Sequence, residues 1–418
     1  MSKVLVIGSG GREHAICYKF STSPLVDTVY VAPGNSGMKD VATVVDIKVD
    51  DFEGLANFAK ENQIDLTFVG PEIPLCAGVV DYFKEQGLCI FGPTKAAARL
   101  EGSKCFSKDM MAKYDIPTAT YKSFNDYEEA SKYLETCSIP VVLKADGLAA
   151  GKGVIIPETM EAARVSLKDM MCDGLFDAAG SSVVIEEFLE GEEFSLLAFV
   201  NGEYVYPMQI AQDHKRAYDN DEGLNTGGMG AYTPVSHISQ ETIDEAMEKV
   251  MKPMAKAMVE EGCPFTGILY GGLMATKKGV KTIEFNVRFG DPETEVILQA
   301  MSSDLYATIM DVLNNKVPTI TFDDKSYIGV VMAANGYPES YKKGAVISGL
   351  ENVASRVFHM GTKEVDGKVT TNGGRVLFVT ACGDNMKEAK ELVYNEISKI
   401  SCDDLFYRKD IAHRALKD

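Results

Sequence analysis

The chain has 418 residues, 45% of them hydrophobic, which is enough to bury more than one core, and its length fits about three domains. With 42 Lys plus Arg against 61 Asp plus Glu, the formal charge of -19 repels nucleic acid and anionic membrane surfaces. That excludes a general polyanion binder, but not a phosphate-bearing small molecule held by a few local cations and amides.

Nine scattered cysteines with no CxxC pair fit a reduced compartment. No signal-like apolar stretch precedes Lys3, and no run is long enough to cross a bilayer. These features predict a cytoplasmic protein without nucleic-acid or membrane partners; a monomer is expected, though no motif fixes the oligomeric state.

From Lys3 to about Leu100, the runs KVLVI, TVYVA, DLTFVG and LCIFG alternate with helical patterns, which predicts a parallel α/β sheet. Each run ends in a Gly or Pro turn, at Gly8-Ser9-Gly10-Gly11, Pro33-Gly34-Asn35, Gly70-Pro71-Glu72 and Gly92-Pro93. Such strand ends are where doubly wound sheets bind ligands. A helix around Ser103 to Tyr114 leads into a small α/β unit, with strands PVVLKADG and SSVVIEEFL flanking a helix from Glu158 to Met171. A Gly-rich polar loop follows from Gln212 to Gly230, then a helix from about Gln240 to Glu261 and strands near Gly267 to Ala275 and Lys281 to Val287. The pattern restarts near Tyr327 with YIGVVMAA, a Gly-rich stretch, RVLFVTA and a helix from Met386 to Ile400, which predicts a C-terminal α+β unit. The expected units are 1–103, 104–326 with a lid at about 120–190, and 327–418.

Three constellations carry chemistry. The stretch Lys144 to Val154 puts a lysine at a strand end and then a small-residue loop containing Gly151, Lys152 and Gly153. Small residues let backbone N–H groups approach phosphate oxygens while Lys144 supplies charge; an ordinary flexible hairpin is the competing reading. In Ile283-Glu284-Phe285-Asn286-Val287-Arg288, strand alternation puts Glu284, Asn286 and Arg288 on one face, with Phe285 and Val287 toward a core. A carboxylate and an amide oxygen two residues apart suit magnesium, and Arg288 suits a phosphoryl or carboxylate oxygen. The third is the strand end Glu186-Glu187-Phe188-Leu189 with Glu193 beyond it, where an adenine would meet backbone groups and a ribose would meet Glu193.

In that order, phosphate loop, adenine hinge and ExN strand resemble the ATP-grasp ligases. Within them the chain is similar to the phosphoribosylamine glycine ligase family over nearly its whole length. The matching stretches include VLVIGSGGREHA, APGNSG, LKADGLAAGKGV, QDHKRAYDNDEGLNTGGMGAY, IEFNVRFGDPET, TNGGRVL and the ending RKDIAHRAL.

The resemblance implies an α/β ATP-grasp fold with a Rossmann-like N-terminal unit. It also implies joining of glycine to 5-phosphoribosylamine with ATP as co-substrate and Mg2+ or Mn2+ as cofactor. By the same resemblance Lys104 and Lys144 hold nucleotide phosphates, Glu187 and Leu189 the adenine, Glu193 the ribose, and Glu284 and Asn286 the metal. Arg288 stabilises the transferring phosphoryl group. Glu72 and Asp291 fall to the amine substrate, and Gly10, Gly11, Lys363, Gly373, Gly374 and Arg375 to its phosphate. Asp213, Asn225, Thr226, Gly227 and Gly228 fall to glycine. Many ATP-grasp ligases carry another acidic ligand before the ExN strand. Here that region reads Tyr270-Gly271-Gly272-Leu273, so Asp291 or Glu293 is the candidate to complete a second metal shell.

A nicotinamide-dependent oxidoreductase is the reading from a different class, but the third glycine of its GxGxxG loop is replaced by Glu13. Another carboxylate-amine ligase, or a nucleotide-binding regulator without turnover, is the nearer alternative. His14 is read as a helix-packing residue in preference to a proton carrier, and the 19 methionines as core filler.

Overall fold

The computed structural model describes residues 1–147, 153–173 and 182–416. It is an α/β protein. The N-terminal sheet is parallel, in the spatial order Thr43–Val44, Val26–Pro33, Ser2–Gly8, Leu66–Val69, Ile90–Phe91. Its central strand contributes Val4, Leu5, Val6 and Ile7, all fully buried, as expected when helices cover both faces. The helix Lys104–Lys113 is capped by Ser103, whose hydroxyl accepts the Phe106 N–H.

The small unit is a four-stranded antiparallel sheet in the order Tyr121–Phe124, Val183–Glu187, Val141–Ala145, Val154–Ile155. The helices Tyr127–Leu134 and Met160–Met171 give it a core of its own around Leu134, Leu143, Leu167 and Ile185. Gly151 and Lys152, on the expected phosphate loop, lie outside the described residues.

A second antiparallel sheet orders Tyr204–Pro207, Glu192–Asn201, Thr266–Thr276 and Gly279–Asn286. The helix expected from Gln240 to Glu261 is interrupted by a π-helical turn at Met247–Met251, between Gln240–Ala246 and Lys252–Glu260.

Two features depart from the linear reading. The segment expected to be a polar loop from Gln212 to Gly230 contains the strand Gln212–Asp213 and the hairpin of Arg216–Tyr218 with Glu222–Asn225. The strand Gly230–Thr233 then pairs with Ser326–Ala334, so the C-terminal sheet draws two of its strands from the middle of the chain. Four glycines and many polar residues hide the strand signal, and only long-range pairing makes the segment extended.

Candidate active site

Glu13 decides the chemistry of the first loop. Its carboxylate accepts the Gly10 N–H at 2.7 Å and pairs with Arg12, capping the helix Gly11–Ser21. A Cβ on Gly70 would lie 2.0 Å from Glu13 Oε1, so glycine there makes room for this carboxylate. A negative group thus occupies the helix N-terminus that a dinucleotide pyrophosphate would need, which removes the nicotinamide reading. The buried Arg12 donates to the Phe289 carbonyl at 3.2 Å and ties this loop to the segment after the ExN strand.

That strand runs beside Thr266–Thr276, with Gly272 opposite Glu284 and Tyr270 opposite Asn286. Burial alone would raise the Glu284 carboxyl pKa. Lys215, Lys144, Lys104 and Arg288 together pull it below the ordinary carboxylate value, so the group stays ionised inside the protein. Arg288 lies 3.0 Å from Glu101 and 3.6 Å from Glu72, and the other Glu101 oxygen accepts the Val287 N–H at 2.8 Å. Burial raises the Glu101 pKa, whereas at Glu72 the charges of Arg288 and Arg12 outweigh burial and lower it.

Lys144 is buried, lies 3.1 Å from Glu186 and donates to the Ile283 carbonyl at 3.0 Å, which joins the small sheet to the ExN strand. Glu186 is shared with a second buried lysine, Lys108, at 2.9 Å. Burial lowers the Lys108 pKa to about 8, against the pull of Glu186. Lys104 donates to the Gly147 carbonyl at 3.2 Å, and Asp146 accepts from Ser103 and Cys105 beside it. Along the adenine hinge, Glu187 gives its N–H to the Thr120 carbonyl and its carboxylate to Lys281, Phe188 is exposed and Leu189 is half-buried.

Asp213 and Lys215 approach the same centre from the shared sheet. Lys215 pairs with Glu193 and acts on Glu284, while burial, reinforced by Glu293 and Glu193, raises the Asp213 pKa. Glu293 is enclosed: its Oε1 accepts from Ser195 at 2.8 Å and Tyr270 at 2.9 Å. Asp291 pairs with Arg375 at 2.9 Å. Both acids suggested for a second metal shell are therefore engaged elsewhere, and the described residues include no group of three or more His, Cys, Asp or Glu able to hold a metal.

Arg375 also donates to the Gly227 carbonyl at 2.9 Å, the Gly227 N–H donates to the Tyr337 hydroxyl, and Thr226 bonds to the Lys215 carbonyl. Gly228 has φ +115°, and a Cβ there would strike Pro292, so only glycine fits. Asn225 ends the hairpin opposite Arg216. Gly373 packs on Gly361 and Gly374 on Tyr337. Lys363 is exposed on the hairpin Thr362–Val365 with Lys368–Thr371, and it is not brought to the ExN strand by any bond in the described residues. Gly11 is packed against Glu295 and Met360.

Strand alternation therefore exposes Lys144, Glu284, Asn286 and Arg288 to sequence reasoning, but Arg12, Glu101, Lys108 and Lys215 escape it. A signal existed for two of these: Lys108 follows Lys104 by one helical turn, and Lys215 follows Asp213 by the strand period.

The chain is similar in sequence and fold to known proteins. Profiles of the phosphoribosylglycinamide synthetase N, ATP-grasp and C domains match residues 2–101, 102–294 and 327–414. A Halalkalibacterium halodurans protein named phosphoribosylamine–glycine ligase is 54% identical over 417 residues, covering 99% of this chain and 97% of its own. A relative of the same name from Listeria innocua is 52% identical over 417 residues, covering 99% of each chain. The crystal structure of the Thermotoga maritima phosphoribosylamine–glycine ligase superposes with TM-score 0.87 at 34% identity, over 98% of this chain and 100% of that one. A Hydrogenobacter thermophilus biotin carboxylase domain, 17% identical, has the same fold with TM-score 0.72, over 97% of this chain and 91% of its own. With three domain profiles in order along the chain and relatives matching end to end, the protein is a member of the phosphoribosylglycinamide synthetase family.

Proposed function

We infer that the chain is an ATP-dependent ligase that joins glycine to 5-phosphoribosylamine, yielding glycinamide ribonucleotide, ADP and phosphate in purine synthesis. The observation that carries this reading is Glu284, a half-buried carboxylate kept ionised by Arg288 on its own segment and by Lys104, Lys144 and Lys215 from distant parts of the chain. Such a convergence of charge suits a triphosphate and a developing phosphoryl transfer state.

A carboxylate is a poor electrophile, so glycine is activated as an acyl phosphate, and the amine then displaces phosphate. Lys104 and Lys144 hold the nucleotide phosphates. Because the Glu187 N–H is already engaged with Thr120, an adenine contact there falls to the carbonyl side, with Leu189 beyond it and Glu193 toward the ribose. Glu284 and Asn286 would hold the divalent cation, Mg2+ or Mn2+. Two protein oxygens, one of them charged, fit an ion that takes its remaining ligands from phosphate and water. The cation would neutralise phosphate charge and orient the transferred group.

Arg288, fixed by Glu101 and Glu72, faces the transferring phosphoryl group. The loop holding Asp213, Asn225, Thr226, Gly227 and Gly228 takes glycine. Asp291, Glu72, Gly373, Gly374, Arg375 and Lys363 take the phosphoribosylamine, its phosphate at the last four and not at Gly10 and Gly11, because Glu13 already holds the Gly10 N–H and puts a negative charge at that helix end. We read the units as 1–103, 104–326 with the lid at about 120–190, and 327–418, acting as a cytoplasmic monomer on small molecules. All nine cysteines are free, which suits a reduced compartment.

A coupled ADP assay with freshly generated phosphoribosylamine, omitting each reactant in turn, tests the reaction. ADP release that persists without glycine, or with bicarbonate or formate in its place, removes the assignment. Oxygen label in the glycine carboxylate should appear in released phosphate; label retained wholly in the amide rules out the acyl phosphate.

A further inference from the structure

The segment Arg408–Arg414 is built into the back of the loop that reaches the site. Arg408 is a charged residue with almost no exposure, and its guanidinium partners lie in that loop or within the segment itself, while Tyr394 ties the segment's backbone to the helix Met386–Ile397. Its guanidinium makes two 2.8 Å bonds to Asp410, one of 3.0 Å to Asp221 and one of 3.1 Å to the Arg216 carbonyl. Arg414 holds the other Asp221 oxygen at 2.8 Å. Two backbone bonds close the joint: Asn220 N–H to Asp410 at 2.9 Å, and Lys409 N–H to Asp219 at 2.7 Å. Asn220, Asp221 and Ala412 all adopt positive φ, a conformation that non-glycine residues hold only when their surroundings fix it.

His214 connects this clasp to the site. It lies between Asp213 and Lys215, and successive side chains of an extended segment point to opposite sides. Asp213 and Lys215 act on Glu293, Glu193 and Glu284. His214 points the other way and accepts the Ala412 N–H at Nε2, 3.0 Å away. That bond puts the ring proton on Nδ1, which lies 3.9 Å from Asp221. Ile411, fully buried, packs against Gly230, where a Cβ would come within 2.7 Å of its Cδ1.

We propose that Arg408, Asp410, Ala412 and Arg414 act through His214 and Asp221 as positioning residues, holding Asp213 and Lys215 in the register the amino-acid half-site requires. The proposal rests on assigning glycine to the Asp213 to Gly228 loop. Among the described residues the clasp makes no hydrogen bond to Glu186–Leu189 and reaches the nucleotide side only through the Lys215–Glu193 pair, so its loss should weaken glycine binding more than nucleotide binding.

The test measures the glycine KM at saturating ATP and phosphoribosylamine, the Kd of a non-hydrolysable ATP analogue, and Tm. Arg414→Met and His214→Leu should raise the glycine KM about tenfold, the weight of one buried polar contact, with the nucleotide Kd raised by less and Tm little changed. His214→Gln keeps an acceptor for Ala412 and should recover most of the loss. The inference is overturned if the glycine KM stays within about twofold in the Arg414 and His214 variants, a change below the worth of one such contact. It is equally overturned if glycine KM and nucleotide Kd rise together as Tm falls, or if His214→Gln behaves as His214→Leu. Asp213→Asn separates the two levels: if it leaves the glycine KM unchanged, the glycine assignment and the clasp fall together. If it raises KM while the clasp variants do not, the clasp alone falls.

Discussion

Burial and charge oppose one another at Glu284, and charge prevails because four cations outweigh the desolvation of one carboxylate. Glu284→Gln keeps the shape and removes the charge. Magnesium-dependent ADP formation should fall about a hundredfold or more, the scale of losing a preorganised charge at a reacting centre, while Tm stays close to wild type. Turnover at the wild-type rate in that variant would remove the metal assignment. At Lys108 the balance tips the other way, and burial brings its pKa to about 8. The unfolded chain then carries a proton that the folded chain sheds between pH 8 and 10.5, so stability should rise with pH through that window. Lys108→Met should abolish this rise in a series of denaturant titrations, and an unchanged slope would assign it to another group.

Packing between elements explains what single residues do not. The first helix meets the C-terminal unit through His14, whose Nδ1 accepts the His359 N–H at 2.9 Å while Nε2 faces Asp40 at 3.4 Å. This is the packing role expected of His14, extended to a junction between units distant in sequence. Asn35 reinforces it by donating to the Ser9 and His359 carbonyls. Burial lowers both histidine pKa values below 6.5, that of His359 to about 4. The unfolded chain takes up protons that the folded chain refuses between those values, so the junction should weaken as pH falls from 6.5 toward 4. His359→Gln should lose less Tm between pH 7 and pH 5 than wild type, and an equal loss would show that the junction does not sense pH.

Across the whole molecule, the C-terminal sheet is completed by strands Gln212–Asp213 and Gly230–Thr233. Residues 327–418 expressed alone should therefore leave one edge of Ser326–Ala334 unpaired and show no cooperative thermal transition by circular dichroism. A sharp transition would show that this unit folds without its borrowed strands.

The sequence by itself determined the alternation of strands and helices in the N-terminal unit, the glycine turns at the strand ends, and the placing of Glu284, Asn286 and Arg288 at alternate positions of one segment. Each of these depends on neighbours within one or two turns of chain. The partners of those residues were settled only by tertiary structure. Arg12, Glu101, Lys108 and Lys215 join the site, and the Gln212 to Gly230 segment becomes sheet, because Coulomb attraction and strand pairing act across space between residues up to hundreds of positions apart, and no local pattern records that distance.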